Sequence, residues 1–588
     1  MIMSQSTLQM VNDYHQQTKH RPGAYARSAG YMDWANQPLP YRLYEGTEKI
    51  YLPLNQEVAS SPIEYIFQVS PASPAPISVN SIASLLQNSL GLSAWKSYNG
   101  TEWALRINPS SGNLHPTECY LLLPESQELP ELQEMTELSD SQELKKKTVH
   151  SLHYNPYINC LEKRARLADV KADFLQDTTG FAIVLTSIAW REAWKYGERA
   201  YRYCQHDLGH ALAALNIAAN LNGWKIEVLD ELSNSAISAL LGLNQSPHAA
   251  QETEYVDCVC WVSAQPSDLQ KVKEWINALS DFDYMHQSNQ LSHSYQEWPV
   301  IEDVFKASHQ QNISFIKEDP ATLSSPVLNP DVAILNANVA TVNSNLTASN
   351  KSSESVEQSA EHLILQRRSA QSFDREASFI SSELFLKQLH NTLPTQSVPF
   401  SVLPQTAQVH LLLFVHHVQG LDAGLYIWVR NPMHLQDLKS AMKPEFLWQP
   451  CFIEQPLYVL KKGDFRRIAK ALSCEQNIAA DGAYSLGMLA RFETSLSHSA
   501  SQYPLLFWET GLIGQVLYLA AEREGLRGTG IGCFFDDQVH DLVGLKDQQW
   551  QSLYHFTVGK AIDDKRISTK PAYFHLQAKA DGESYSSK

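Results

Sequence analysis

The chain has 588 residues, too many for one ordinary domain and suited to two to four. Hydrophobic residues make up 44%, enough for sizeable cores, and a formal net charge of -17 argues against nucleic acid or an anionic membrane as the main partner. The eight cysteines are scattered with no CxxC pair, so buried free thiols in a reducing compartment are expected rather than a disulfide framework.

The first twenty residues lack a basic start followed by an apolar core, and no stretch approaches a membrane span. A cytoplasmic location without membrane contact is expected. Residues 14–46 are rich in aromatics, Pro and Gly, which suggests an extended wrapping arm. Tyr25, Tyr31, Trp34 and Tyr41 are expected to pack it onto the surface, and His15, Thr18 and Lys19 to be structural rather than catalytic.

Ile82, Leu85, Leu86 and Leu90 fall at helical spacing. Residues 109–120 read PSSGNLHPTECY, before an apolar strand. Pro109 breaks what precedes it, Gly112 permits a turn, and Ser110, Ser111 and Asn113 offer short donors and acceptors. Such a loop can face an anion or a planar electron-rich group, or can merely cap a helix with Ser111. Tyr120 reads as packing, Glu118 as a partner for nearby N–H groups, and His115 as structural.

Residues 125–147 read as a solvated insertion ending in Lys145, Lys146 and Lys147. Residues 181–190 read as a buried strand, and Tyr201 to Ala219 step along one face of a long helix that Gly223 stops. That helix carries HDLGH. A metalloprotease helix needs a Glu after the first His, and here Asp207 follows, so no metal is expected at His206 and His210. Residues 319–360, dominated by Ser, Asn, Thr and Ala, read as a linker. Helices and strands resume, including a second long helix, the turn Gly528 to Gly532, and a last strand near Tyr554.

The two halves repeat. Tyr201 and Tyr503, Gly209 and Gly511, Leu215 and Leu517, Ala219 and Ala521, and Gly223 and Gly525 each stand 302 residues apart. A common offset over separate segments indicates duplication of one globular domain. The loop Pro109–His115 lines up with Pro404–His410.

The PSSGN loop, the Arg367-Arg368-Ser369 motif, GLDAGLY around Gly420 to Tyr426, the late glycine turn and the opening arm resemble the nitroreductase-like flavoproteins, in particular the SagB/ThcOx branch that oxidises azolines in peptide maturation. The resemblance implies an α+β fold: two tandem nitroreductase-like domains, each a mainly antiparallel sheet flanked by helices, forming an intrachain pseudo-dimer. The boundaries are an arm over 1–50, domain 1 over 51–318, the linker over 319–360 and domain 2 over 361–588.

The resemblance implies FMN as cofactor, held by parts taken from opposite subunits. Pro109, Ser110, Ser111, Gly112 and Asn113 come from the first half. Arg367, Arg368 and Ser369, the turn residues Gly530, Ile531 and Gly532, and the basic Lys560 and Arg566 come from the second. Each half lacks the other's part: Glu64, Tyr65 and Ile66 stand where the Arg motif would fall in the first half. One FMN per chain is therefore expected.

Lys195 and Tyr196 match a Lys-Tyr pair that the branch associates with substrate deprotonation. They are also readable as a helix-start charge and a core ring. Three functions follow: oxidation of a peptide-like or small azoline-type substrate, NAD(P)H-dependent nitro or quinone reduction, or a non-catalytic flavin-binding scaffold. A monomer is compatible with the internal pseudo-dimer.

Overall fold

The computed structural model describes residues 6–54, 60–125, 148–168, 180–245, 248–284, 287–309, 312–317, 359–394, 398–453 and 455–576. The expected linker lies outside the described residues except for Ser359 and Ala360, as does the solvated insertion beyond Glu125.

The fold is α+β and duplicated. Among the described residues, apolar, β-branched runs form two large antiparallel sheets. The first has 8 strands, with Thr117–Pro124 and Gly180–Ile188 at its centre and Glu254–Ser263 and Lys225–Val228 beyond. The second has 7, with Val409–Val415 and Tyr484–Arg491 at its centre and Trp550–Gly559 and Arg527–Ile531 beyond. Cys258 and Cys260, two apart on one strand, point to one buried face.

Between the sheets lie the two long helices, Ala200–Leu221 and Gln502–Arg523. The second is apolar and long enough to cross a membrane, but it is buried in the molecule, the ordinary position of a core helix. The helices cross where the repeat aligns its glycines. A methyl on Gly209 would fall 2.3 Å from the Trp508 carbonyl oxygen and 2.8 Å from Gly511 Cα. A methyl on Gly511 would fall 2.4 Å from the His206 carbonyl oxygen. One turn and more away, the repeat partners Tyr201 and Tyr503 stack at 5.8 Å and 9°. Trp508 Nε1 donates to Gln205 Oε1 at 2.6 Å, and His206 Nδ1 lies 3.0 Å from Thr510 Oγ1.

Both chain ends cross to the opposite half. The strand Ser568–Lys570 pairs with Leu92–Tyr98 of the first-half hairpin completed by Thr101–Arg106. At the other end the expected extended arm begins instead as a helix, Thr7–Gln17, capped by the Ser6 side chain. His15 of that helix lies between Tyr503 and Gln551 of the second half, at 3.2 and 3.3 Å.

Of the four aromatics expected to pack the arm down, Tyr41 does so, 4.9 Å from the Tyr157 ring, and three do not. Tyr25, Tyr31 and Trp34 stay 55%, 71% and 68% exposed. Its anchors are His15, Thr18, Lys19 and His20, all buried. Arg202 Nη2 donates to the His15 carbonyl, Arg199 Nη1 to the Thr18 carbonyl, and both guanidiniums pair with buried Asp536. Burial pushes the Asp536 carboxyl up, but the two guanidiniums outweigh it and hold it well below the usual range. Lys19 and His20 find the carboxylates of Asp537 and Asp536, and Thr18 finds Arg199 and Arg202, so polar groups anchor this stretch.

Strand register corrects the phase of the repeat at the loop. Ile188 N donates to Pro116 O at 2.9 Å, and Arg491 N to Gln408 O at 2.8 Å, each just before the following helix. Pro116 therefore corresponds to Gln408, and Ser111, Gly112 and Asn113 to Leu403, Pro404 and Gln405. The Pro109–Pro404 and His115–His410 matches are coincidental, although the second half still lacks the loop.

Gly511→Ala should destabilise the molecule by about 1–3 kcal/mol or more, because backbone rather than a movable side chain blocks the methyl. Chemical denaturation beside an Ala521→Gly control reads the effect; an unchanged midpoint would mean the crossing is looser than described.

Candidate functional site

The loop from the first half and the Arg motif from the second meet at the crossing helices. Ser111–Asn113 forms a short 3-10 turn with Gly112 and Asn113 both at φ 62°. Gly tolerates that conformation freely and Asn better than most residues. Asn113 Nδ2 donates to the Ala104 carbonyl at 2.9 Å, and its Oδ1 lies 3.0 Å from His115 Nε2. Gly112 is exposed, and a methyl there would come within 2.7 Å of Tyr196 Oη and 3.1 Å of Lys195 Nζ. Lys195 and Tyr196 end the helix Ala189–Tyr196 and lie over the loop. The Lys195 amine stands 5.2 Å from the Tyr196 ring centroid.

Arg367 is buried, and its Nη2 donates to the carbonyls of Arg106 and Ile107 at 3.3 and 3.2 Å, two residues before Pro109. Its Nε and Nη1 make no hydrogen bond, and neither do the buried Ser93 Oγ and Asn108 Oδ1. Arg368 Nη2 donates to the Ser93 carbonyl at 3.0 Å. Ser369 is exposed and donates to Tyr518 Oη at 2.9 Å; Gly530 N donates to the same oxygen at 2.9 Å. Gly530 packs on Tyr554 and Gly532 on Tyr203, so closely that neither position has room for a Cβ. Ile531 faces away, buried with Ala370, Phe373 and Ile478.

Two expected site residues bind elsewhere. Lys560 Nζ donates to the Gly525 carbonyl at 3.0 Å, and Arg566 pairs with Asp564 at 2.7 Å beneath Tyr98. Both are exposed. His206 and His210 are taken up across the helix crossing: His206 stacks on Tyr554 at 4.2 Å, and His210 Nε2 lies 3.2 Å from Tyr554 Oη. Glu118, placed on its strand as a partner for N–H groups, accepts from Arg42 N and from Arg191 Nη1 at 2.5 Å, and lies 3.0 Å from His153 Nε2. Against the pull of burial, Arg191 and His153 hold its carboxyl down to about 2. Tyr120 packs as expected, its hydroxyl 2.9 Å from that of Tyr44.

Sequence reasoning missed an acid pair. Asp207 accepts from Ser111 N at 3.0 Å and from Ser111 Oγ at 3.0 Å, and Ser110 Oγ lies 3.5 Å from Glu192 Oε1. Both acids are buried. Burial raises Asp207 to about 7 despite its bonds to Ser110 and Ser111, and burial together with the neighbouring Asp207 charge raises Glu192 well above the carboxylate range. Glu192, Lys195 and Tyr196 share one helix face, the i, i+3, i+4 spacing that could have revealed them. A separate groove of about 220 Å³, lined by Trp190, Ala193, Tyr255 and Trp298, opens on the opposite face of that helix.

Across the pseudo-twofold the equivalent place is filled. Val402 and Leu403 are buried there, and Asn216 of the first long helix donates to the Pro399 carbonyl at 2.9 Å.

The nitroreductase family model matches residues 72–251 and 364–560, one copy in each half. The chain belongs to the nitroreductase family. A crystal structure from Anabaena variabilis assigned as a nitroreductase covers 95% of this chain, and all 100% of its own, at 20% identity and a TM-score of 0.62. At that identity it attests the tandem fold alone. A second nitroreductase-assigned chain, from Ralstonia eutropha, covers 41% of this chain at 16% identity and a TM-score of 0.26. The Escherichia coli microcin synthetase McbBCD complex with truncated pro-MccB17 covers 45% at 18% identity and 0.24. No curated protein matches.

This family fold suits a flavin, and the residues present suit its parts. Buried guanidinium nitrogens without partners fit a phosphate. The missing side chains at Gly530 and Gly532 leave room for the rings of Tyr554 and Tyr203. A ligand that uses Ser369 Oγ or Gly530 N must first displace the Tyr518 hydroxyl.

Because Asp207 is protonated more readily in the folded protein than in the unfolded chain, it opposes folding as pH rises from about 4 to about 7. Asp207→Asn should flatten that decline and raise Tm at pH 8 with little change at pH 4. Thermal melts across this range check it; parallel pH profiles for both proteins would refute it.

Proposed function

We propose that the protein is an FMN-dependent oxidoreductase of the SagB type, with one FMN held jointly by the two halves, acting in the cytoplasm on a peptide-like or small azoline-type substrate. The reading is supported above all by Arg367, which reaches from the second half to the Ile107 carbonyl beside the first-half loop. Arg367, Arg368 and Ser369 would grip the phosphate and ribityl chain, and Pro109 to Asn113 with Gly530 and Gly532 would frame the ring. Bound FMN supplies a two-electron hydride acceptor.

The chain's own residues handle protons. Lys195 Nζ lies over Gly112 at the mouth of the loop; it would take a substrate proton and Tyr196 Oη would orient it. The Glu192–Asp207 pair keeps a proton behind the loop near neutral pH and holds Ser110 and Ser111 in place. The half-exposed Lys195 leaves the substrate side open to solvent.

The match to the nitroreductase family favours a second reading, reduction of nitro compounds or quinones by NAD(P)H. Rapid-mixing reduction of bound flavin separates the two: NAD(P)H bleaches it in the second reading but not in the first.

Purified protein should carry close to one FMN per chain, and Arg367→Ala should lower that occupancy about tenfold or more by removing a buried charged contact. A ratio near two, or full occupancy in the variant, would defeat the assignment. Lys195→Ala should retain flavin yet lose about 100-fold or more in the rate of substrate-driven flavin reduction. An unaltered rate would remove Lys195 from proton transfer.

A further inference from the structure

Five of the cysteines are buried; Cys451, Cys474 and Cys533 are half-exposed. Cys533 directly follows Gly532, while Cys474 sits after the helix Arg466–Leu472 in a left-handed turn at φ 52°. Chain distance separates them, but folding lays the two segments side by side: Phe535 N donates to the Leu472 carbonyl at 2.8 Å and Gln476 Nε2 to the Cys533 carbonyl at 3.3 Å, which sets the two thiols next to each other.

The surroundings differentiate the pair. Ala26 N donates to His20 Nδ1 at 3.0 Å, so the ring proton sits on the other nitrogen, and the His20 ring stands beside the Cys533 sulfur. Arg199 Nη2 donates to the Gly532 carbonyl at 3.2 Å and brings its charge beside the thiol. The Cys474 hydrogen bond, with help from His20 and against burial, pulls the Cys533 thiol down to about 5. Cys474 is pushed the other way, by its hydrogen bond to Cys533 and by burial. The Tyr25 hydroxyl lies beside Cys474. The thiolate is the nucleophile in thiol chemistry, and half-exposure beside donors and a cation is where reactive cysteines occur. The other half-exposed thiol, Cys451, lacks this setting, and burial raises it to about 11.

We propose that Cys533 and Cys474 form a redox-active dithiol that reduces low-molecular-weight disulfides, Cys533 attacking and Cys474 resolving. The Cys533 thiolate attacks one sulfur of RS–SR; that bond breaks, a Cys533–S–SR bond forms, and RS⁻ leaves and takes a proton from water. Cys474 then attacks the Cys533 sulfur, the mixed disulfide breaks, and the second RS⁻ leaves with the Cys474 proton. Two protein thiols are oxidised to one disulfide while RSSR is reduced to two RSH. The new bond ties the loop carrying Gly530 and Gly532 to the turn at Cys474, so the oxidation state of the pair bears on the candidate site beside it. The site does not depend on flavin and stands apart from the proposed function.

The test uses the full-length protein and peptide mapping by mass spectrometry. Iodoacetamide at pH 6.5 should label Cys533 about tenfold or more faster than Cys451. Glutathione disulfide should produce a Cys474–Cys533 disulfide in the native protein. In Cys474→Ser it should leave a glutathione adduct on Cys533, and in Cys533→Ser neither product should form. Equal labelling of Cys533 and Cys451 would overturn the proposal on the native protein alone, whatever the variants do. Absence of both the disulfide and the trapped adduct would overturn it as well.

Discussion

Two helices touching backbone to backbone set the geometry of the molecule. At Gly209 and Gly511 there is no space for even one methyl, so the helices approach more closely than side chains normally allow. That approach brings Tyr201 onto Tyr503, Trp508 to Gln205 and His206 to Thr510. It also fixes where the first-half loop and the second-half Arg motif lie relative to each other. Asp207, one turn from the crossing, ties Ser111 to the helix, and Tyr518, on the other helix, gathers Ser369 and Gly530. Widening the crossing would separate these two sets before it unfolded either sheet.

Much of this was legible in the amino acids because duplication leaves a metric. Residues 302 apart in the long helices proved to be residues that meet, since a twofold relation brings equivalent positions together at its axis. The glycine and tyrosine pairs are the clearest cases. Away from the axis the metric failed. The loop before the central strand had gained or lost residues in one copy, and matching Pro109 to Pro404 placed the halves three residues out of phase. Hydrogen-bond register at Pro116 and Gln408 detects this; letters do not.

The arm shows a different limit. Its conspicuous aromatics invited a packing role, yet Tyr31 and Trp34 face solvent. The grip comes from Lys19 and His20 against Asp537 and Asp536, partners more than 500 residues away, with Thr18 held by Arg199 and Arg202. No local pattern announces such a pairing. The Glu192–Asp207 pair was hidden for the same reason: HDLGH drew attention as a failed metal motif, whereas Asp207 works through Ser111, nearly 100 residues earlier. Lys560 and Arg566 were implied by the resemblance to the family's basic residues, and a matching charge does not say that a helix-end carbonyl and Asp564 would claim them.

The exchange of chain ends has a bearing on synthesis. The hairpin Leu92–Arg106 waits for Ser568–Lys570 to supply its third strand, and Leu92 N waits for the Tyr573 hydroxyl. The first lobe is therefore finished by a strand 473 residues downstream of the position it pairs with. Until that strand has been synthesised the hairpin keeps an open edge, exposed while the second lobe is still being made.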